Sequence, residues 1–297
     1  FYLVFGRSHH RQKRISNKIK KRITNRAKKQ AINQVDLSKY PIVEKNIKLA
    51  TLIGKTSELG VYGNNEIEIF TEGKKLLDKM LEDISNAKDH IHAEYFIIET
   101  DETGNTFKEA LIKKAKEGVD VRVIYDDLGS WKLKRTTIRD MKKAGIKLQS
   151  FFKIRFPYFT SKINYRNHRK ILVIDGKVAF TGGVNLADEY INEIKRFGHW
   201  KDNAVMITGE AVRSFTIMFL QVWNIQNTKK EDYEKYLIET SVDNENAYVM
   251  PYGDQPFDKE NVGEFVYMDI INKAKKYVYI MTPYLILDNE MLTCLEQ

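Results

Sequence analysis

The amino-acid sequence predicts an α/β layered domain followed by the start of a second one like it. Strand-period and helix-period segments alternate from Glu66 to Trp223. A chain of 297 residues, 42% apolar and 30% charged, can bury a sizeable core, which sets it apart from disordered sequences. Finally, a helix-to-strand pattern first met near Ala87 returns near Ala274.

The elements follow in order. After a polar connector, Gln34 to Asn65, Glu66 to Phe70 alternates as a strand, and Leu76, Leu77, Met80, Leu81 and Ile84 form a helical stripe. His90 to Ile98 is strand-like. Phe107, Ala110, Leu111 and Ala115 mark a helix, Val121 to Tyr125 a strand, and Thr136 to Ala144 a helix closed by Gly145. The helix Ala211 to Trp223 ends the first domain. Asn227 to Asn246 is charged and poor in large apolar residues, so it reads as a linker. Beyond it, Ala274-Lys275 followed by Val278, Ile280 and Tyr284 echoes Ala87-Lys88 followed by Ile91, Ala93 and Tyr95. The expected division is therefore a stub at 1–6, a basic segment and connector at 7–60, a first domain at 61–225, a linker at 226–245 and a second domain starting at 246 and interrupted at 297. Phe1 in place of Met, and a last helix that stops mid-turn, fit a piece of a longer chain.

The net charge of +9 is concentrated at one end. Arg7 to Lys29 holds eleven Lys/Arg and no acid, so the remainder sums to 9 − 11 = −2. A nearly neutral body argues against a basic nucleic-acid groove and favours a basic arm. Phe1 to Phe5 is an apolar stub, and a dense basic run just after it is how the cytoplasmic end of a membrane helix looks. Within that run Ile15, Ile19, Ile23 and Ala27 form one narrow apolar stripe, so the arm reads either as a segment lying on anionic lipid or as a solvated charged linker. The single cysteine, Cys294, makes no internal disulfide, and no zinc-type spacing occurs, which suits a reducing compartment.

The stretch Asn164 to Tyr190 carries the chemistry. Asp175-Gly176 between two apolar runs predicts a two-residue hairpin turn, in which Ile174 faces Lys177, Leu172 faces Ala179, Lys170 faces Thr181 and His168 faces Gly183. Strand alternation projects His168 and Lys170 from one face and Arg169 from the other, so an imidazole and an ammonium can meet one phosphate. Gly182 and Gly183 allow close backbone approach. Asn185 stands as a helix N-cap or as an amide donor to a phosphate oxygen. Asp175 leaves the opposite face from His168, which gives it a structural role in the turn or in an ion pair. His90, His92 and Glu94 share one strand face; side chains of a central strand are the expected reading, with metal ligation the alternative.

His168, Lys170, Asp175, Gly182 and Asn185 match H-x-K-x(4)-D-x(6)-G-x-x-N at every fixed position. On these residues the chain resembles the phospholipase D superfamily. The neighbouring words resemble its cardiolipin synthases: Asn164-Tyr165-Arg166-Asn167, Asp188-Glu189-Tyr190, Trp200-Lys201-Asp202, Tyr252-Gly253-Asp254 and Thr282-Pro283-Tyr284. Lys201 stands where that family usually has Arg, and Asn203 where Thr is common. The resemblance implies a phospholipase D-like layered α/β/α domain and a catalytic motif of His168, Lys170 and Asp175. His168 would be the nucleophile, Lys170 and Asn185 would stabilise phosphate charge beside Gly183, and Asp202 would orient the far ring nitrogen of His168. A second such motif, expected near position 355, would supply the general acid. The implied substrates are two phosphatidylglycerol molecules, giving cardiolipin and glycerol at a bacterial cell membrane, with the catalytic domain on the cytoplasmic side. No metal, cofactor or nucleic acid enters that scheme. A superfamily endonuclease, or a membrane-binding piece inactive by itself, is the alternative.

Overall fold

The computed structural model describes residues 46–57, 59–151, 166–196, 198–227, 231–240, 242, 247–254, 261–282 and 284–296. The apolar stub and the basic run with its stripe lie outside the described residues.

Among the described residues a seven-stranded sheet forms the centre, in the order β1-β7-β6-β5-β2-β3-β4. The strands are β1 Asn65–Phe70, β2 His90–Tyr95, β3 Asp120–Asp126, β4 Lys147–Phe151, β5 Ile171–Ile174, β6 Val178–Gly182 and β7 Ala204–Gly209. β2, β3 and β4 are parallel neighbours, whereas β2–β5, β5–β6, β6–β7 and β7–β1 are antiparallel. Parallel strands need crossovers, and helices α2 Gly73–Asn86, α3 Glu102–Lys116 and α4 Arg135–Lys143 fill the intervals along that half of the chain.

Alternation along the central strands builds two cores. Leu172 and Ile174 of β5, with Ile91 and Ala93 of β2 and Val121 and Val123 of β3, pack with Met80, Ile84, Phe107 and Leu111 of α2 and α3. The intervening residues Ile171, Val173 and Ile124 pack instead with Phe215, Phe219 and Trp223 of α5 Val212–Gln226. A continuous apolar strand such as Ile171–Ile174 is buried on both faces because helices cover both. The architecture is the expected layered α/β/α sandwich.

Two stretches differ from the sequence reading. The polar connector holds helix α1 Ile47–Ser57, whose Ala50 packs with Val61 near Tyr248 and Met250. Inside the stretch read as a linker, Tyr233 and Tyr236 are buried with Phe219 and Trp223. Tyr236 also lies edge-on to His90 and His92, its ring centroid 5.0 and 4.9 Å from theirs. These two aromatic rings, with Leu237 packed beside them, tie the charged segment to the sheet.

The hairpin turn corrects the predicted register. Asp175 and Gly176 both take positive φ, 52° and 64°, as expected, and Lys177 N–H donates to Ile174 O at 2.9 Å. Lys177 nevertheless joins the loop, so Ile174 pairs with Val178, Leu172 with Phe180 and Ile171 with Thr181. Each partner is one residue from its predicted place. Helices α6 Val262–Lys273 and α7 Asn289–Glu296 lie beyond, and residues 275–282 and 284–287 form no strand.

Candidate active site

Just before β5 the chain leaves the sheet ladder, and Arg166 to Lys170 run as an irregular segment. Two buried carboxylates from neighbouring strands hold it. Asp126, at the end of β3, accepts from Asn167 N–H at 3.0 Å and from Arg166 Nη1 at 3.1 Å. It also accepts from Leu128 and Gly129 N–H, at 2.9 and 3.0 Å, which fixes its rotamer. Glu94 of β2, fully buried, accepts from Asn167 Nδ2 at 2.5 Å and from Arg169 Nε at 3.1 Å. His168 is thereby presented between clamped neighbours.

His168 and Lys170 leave the same side, as the alternation predicts, while Arg169 turns to Glu94. His168 is accessible to solvent and Lys170 is buried. Lys170 Nζ lies 3.1 Å from His168 Nδ1, 3.4 Å from Nε2 and 2.9 Å from His168 O. A phosphate oxygen bound by that ammonium would sit against the imidazole. Phe96 packs beside both groups, its ring centroid 4.7 Å from the His168 ring and 5.8 Å from Lys170 Nζ. Tyr284 approaches His168 edge-on, with ring centroids 6.4 Å apart.

Burial, then the Lys170 charge, pushes the His168 pKa below its ordinary value, and the Asp126 carboxylate opposes them. The ring is neutral near pH 7 and keeps a lone pair for attack. Burial brings Lys170 down to about 8, against a raising influence from Asp202. It stays charged at neutral pH.

The other expected site residues lie as follows. Asp175 sits in the turn at the far end of β5 and accepts from Lys88, Asp89 and His90 N–H at 2.9, 2.8 and 3.0 Å. That is the turn role expected from strand alternation, and it sets Asp175 apart in space from His168 and Lys170, with which it completes the motif. Asn185 caps no α-helix: its Oδ1 accepts from Ile97 N–H at 3.2 Å, and a 3-10 turn, Asp188–Tyr190, follows. Gly182 and Gly183 do permit close approach, but of the chain entering β7. A Cβ on Gly182 would lie 2.5 Å from Asn203 O, and one on Gly183 would overlap the Asp202 carboxylate. Asp202 accepts from Trp200 Nε1 at 3.2 Å and from Asn203 N–H at 2.8 Å. It acts on Lys170 through its charge and makes no hydrogen bond to His168, so this geometry does not give it the ring-orienting place.

His90, His92 and Glu94 do not converge as metal ligands. His90 Nδ1 lies 2.7 Å from Asp89, the His92 ring stacks on Phe219 at 4.5 Å, and Glu94 turns to Asn167 and Arg169. Sequence reading missed the clamp of Asp126 and Glu94. The only signal for it was the acidic residue that each carries near the carboxyl end of an apolar strand.

The sequence is similar to those of known proteins. The family model described as cardiolipin synthase, PLD-like domain, matches residues 80–223. A cardiolipin synthase of Alkalihalophilus pseudofirmus is 36% identical over 100% of this chain and 59% of its own length. An uncharacterized protein of Streptococcus mutans is 46% identical over 83% of this chain and 54% of its own. The chain thus spans a little over half the length of these relatives. Among solved structures, a phospholipase D family member, Nuc from Salmonella typhimurium, aligns with TM-score 0.41 and 20% identity over 56% of this chain and 99% of its own.

Proposed function

The chain belongs to the cardiolipin synthase family of phospholipase D-like proteins, and from that premise we propose that the protein transfers a phosphatidyl group from one phosphatidylglycerol to another. His168 attacks phosphorus with a ring-nitrogen lone pair, the bond to the headgroup glycerol breaks, and a phosphatidyl-histidine forms. The glycerol hydroxyl of the second lipid then attacks, returning its proton to the group that protonated the departing glycerol, the P–N bond breaks, and the products are cardiolipin and glycerol. Lys170 stabilises the charge on the non-bridging oxygens throughout. The acid that protonates the departing glycerol is proposed to be the histidine of a second such motif; these 297 residues contain one copy. The reading places the reaction at a bacterial membrane surface, on the cytoplasmic side, with the basic run Arg7 to Lys29 on anionic lipid.

One observation supports this above the rest: a neutral, accessible imidazole lies within 3.4 Å of a buried ammonium at both ring nitrogens, on a segment clamped by two carboxylates. The test is turnover of labelled phosphatidylglycerol by the full-length protein. His168→Ala is expected to reduce cardiolipin formation to background and Lys170→Ala to lower it by roughly a hundredfold or more, in the range lost with one oxyanion donor. Unchanged turnover in His168→Ala would refute the assignment.

A further inference from the structure

The clamped segment also walls a cavity. Between it and helix α5 lies a half-open cavity of about 490 Å³, within the range of small-ligand sites, roughly 300–1,000 Å³. His168, Lys170 and Arg169 form one wall. Phe151, Phe215, Met218 and Val222 form an apolar floor, and Met250 to Asp254 close the far side. That far wall is pinned at both ends. Val249 exchanges two 2.9 Å backbone bonds with Tyr62, and Asp254 accepts from Val262 and Gly263 N–H at 3.0 and 2.7 Å.

Arg169 shows what such a cavity would accept. Its Nε is bonded to Glu94, while its Nη1 is buried with no hydrogen-bond partner among the described residues. Nη1 lies beside Gly253 and Met218: a Cβ on Gly253 would be 3.2 Å from Nη1 and 3.2 Å from Met218 Sδ. A buried N–H left unpaired is costly and calls for an acceptor. The Glu94 carboxylate already balances the guanidinium charge, so a neutral acceptor such as a carbonyl oxygen suits this donor better than a second anion. A carbonyl followed by an apolar chain, a few bonds from a phosphate held at Lys170, is the chemistry of a glycerol ester of a fatty acid.

We propose that this cavity is an acyl subsite, in which Arg169 Nη1 donates to an ester carbonyl of a glycerophospholipid whose phosphate lies at His168 and Lys170, and the first part of the acyl chain lies on the floor of Phe215, Met218 and Val222. The inference rests on the phosphatidyl-transfer reading for its phosphate position. Gly253 is the gate of the subsite, because only the absence of a side chain there leaves the space between Arg169 and Met218 open.

The test is calorimetric binding to the full chain of phosphatidylglycerols with acyl chains of increasing length below their micelle concentrations, beside the deacylated headgroup glycerophosphoglycerol. Affinity for the lipids is expected to rise about fourfold per methylene seated in the cavity, then level off. Gly253→Val should flatten that rise while leaving glycerophosphoglycerol binding unchanged. Met218→Ala should move the plateau to longer chains, and the milder Gly253→Ala should fall between wild type and Gly253→Val, which guards against a folding artefact. Identical chain-length dependence in wild type, Gly253→Val and Gly253→Ala would overturn the subsite. Loss of glycerophosphoglycerol binding with the chain-length effect intact would instead count against the phosphate site and the transfer reading.

Discussion

Ala87 and Ala274 end two helices in the same way. Ala87 closes α2 at φ −58°, ψ 139° and donates to Ile84 O; Ala274 closes α6 at φ −63°, ψ 136° and donates to Ile271 O. Each is followed by lysine and then by a strand-like apolar pattern. The outcomes diverge. After Ala87 the chain enters β2, where Ile91 and Ala93 are wholly buried between β3 and β5. After Ala274 it forms no strand among the described residues, and Tyr279, Met281 and Ile286 are 88%, 85% and 89% exposed. The same local code thus sets the helix end in both places, but a strand forms only where neighbours on both sides satisfy its backbone groups and cover its side chains.

The largest expected difference is in hydrogen exchange. In the 297-residue chain, amides of Ile91 to Tyr95 should exchange only through global opening, whereas those of Val278 to Met281 should exchange nearly freely, a gap of about a thousandfold or more. Comparable protection of the two segments would break the comparison. Next is the tie between the first junction and the hairpin. Because Asp175 accepts from three backbone N–H groups at Lys88, Asp89 and His90, Asp175→Ala should cost about 3 kcal/mol in a denaturant melt and leave α6 untouched. A loss below about 0.5 kcal/mol would mean the tie contributes nothing beyond what solvent supplies.

Much of this was legible in the sequence. The sequence located α2 to α5 and strands β1, β2 and β3, the Asp175-Gly176 turn located β5 and β6, and the spacing of His168, Lys170 and Arg169 forecast which side chains share a face, while β4 and β7 went unread. What escaped depended on distant partners. Whether Lys177 joined the loop or the strand was decided by the ladder with Val178, so the register shifted by one. Glu94 and Asp126 looked like ordinary strand acids until folding buried them against Asn167, 73 and 41 residues further on. Tyr284, in the unpaired region, reaches His168 across 116 positions, a contact no local pattern encodes. Tyr233 and Tyr236 drew a charged stretch into the core.

Burial of the first region also sets how its site ionises. The depressed His168 loses its lone pair only below its ordinary range, so the acid limb of kcat/KM in the full-length protein should lie under pH 6.5. The alkaline limb should fall near 8, where Lys170 loses its proton. Asp126→Asn removes the charge that opposes the depression and should move the acid limb to still lower pH. An acid limb that stays in place would show that Asp126 acts on His168 through geometry alone. The smallest effect belongs to the unpaired region: in the 297-residue chain Tyr279→Ser should change stability by less than about 0.5 kcal/mol, because the ring is already in water.

The proposed transfer depends on His168 as the nucleophile. Full-length protein mixed with phosphatidylglycerol, quenched in alkali within milliseconds and read by peptide mass spectrometry, should carry a phosphatidyl adduct on the peptide containing His168. The adduct should be absent from His168→Ala. An adduct found on another histidine, or turnover with none on His168 at any quench time, would contradict it.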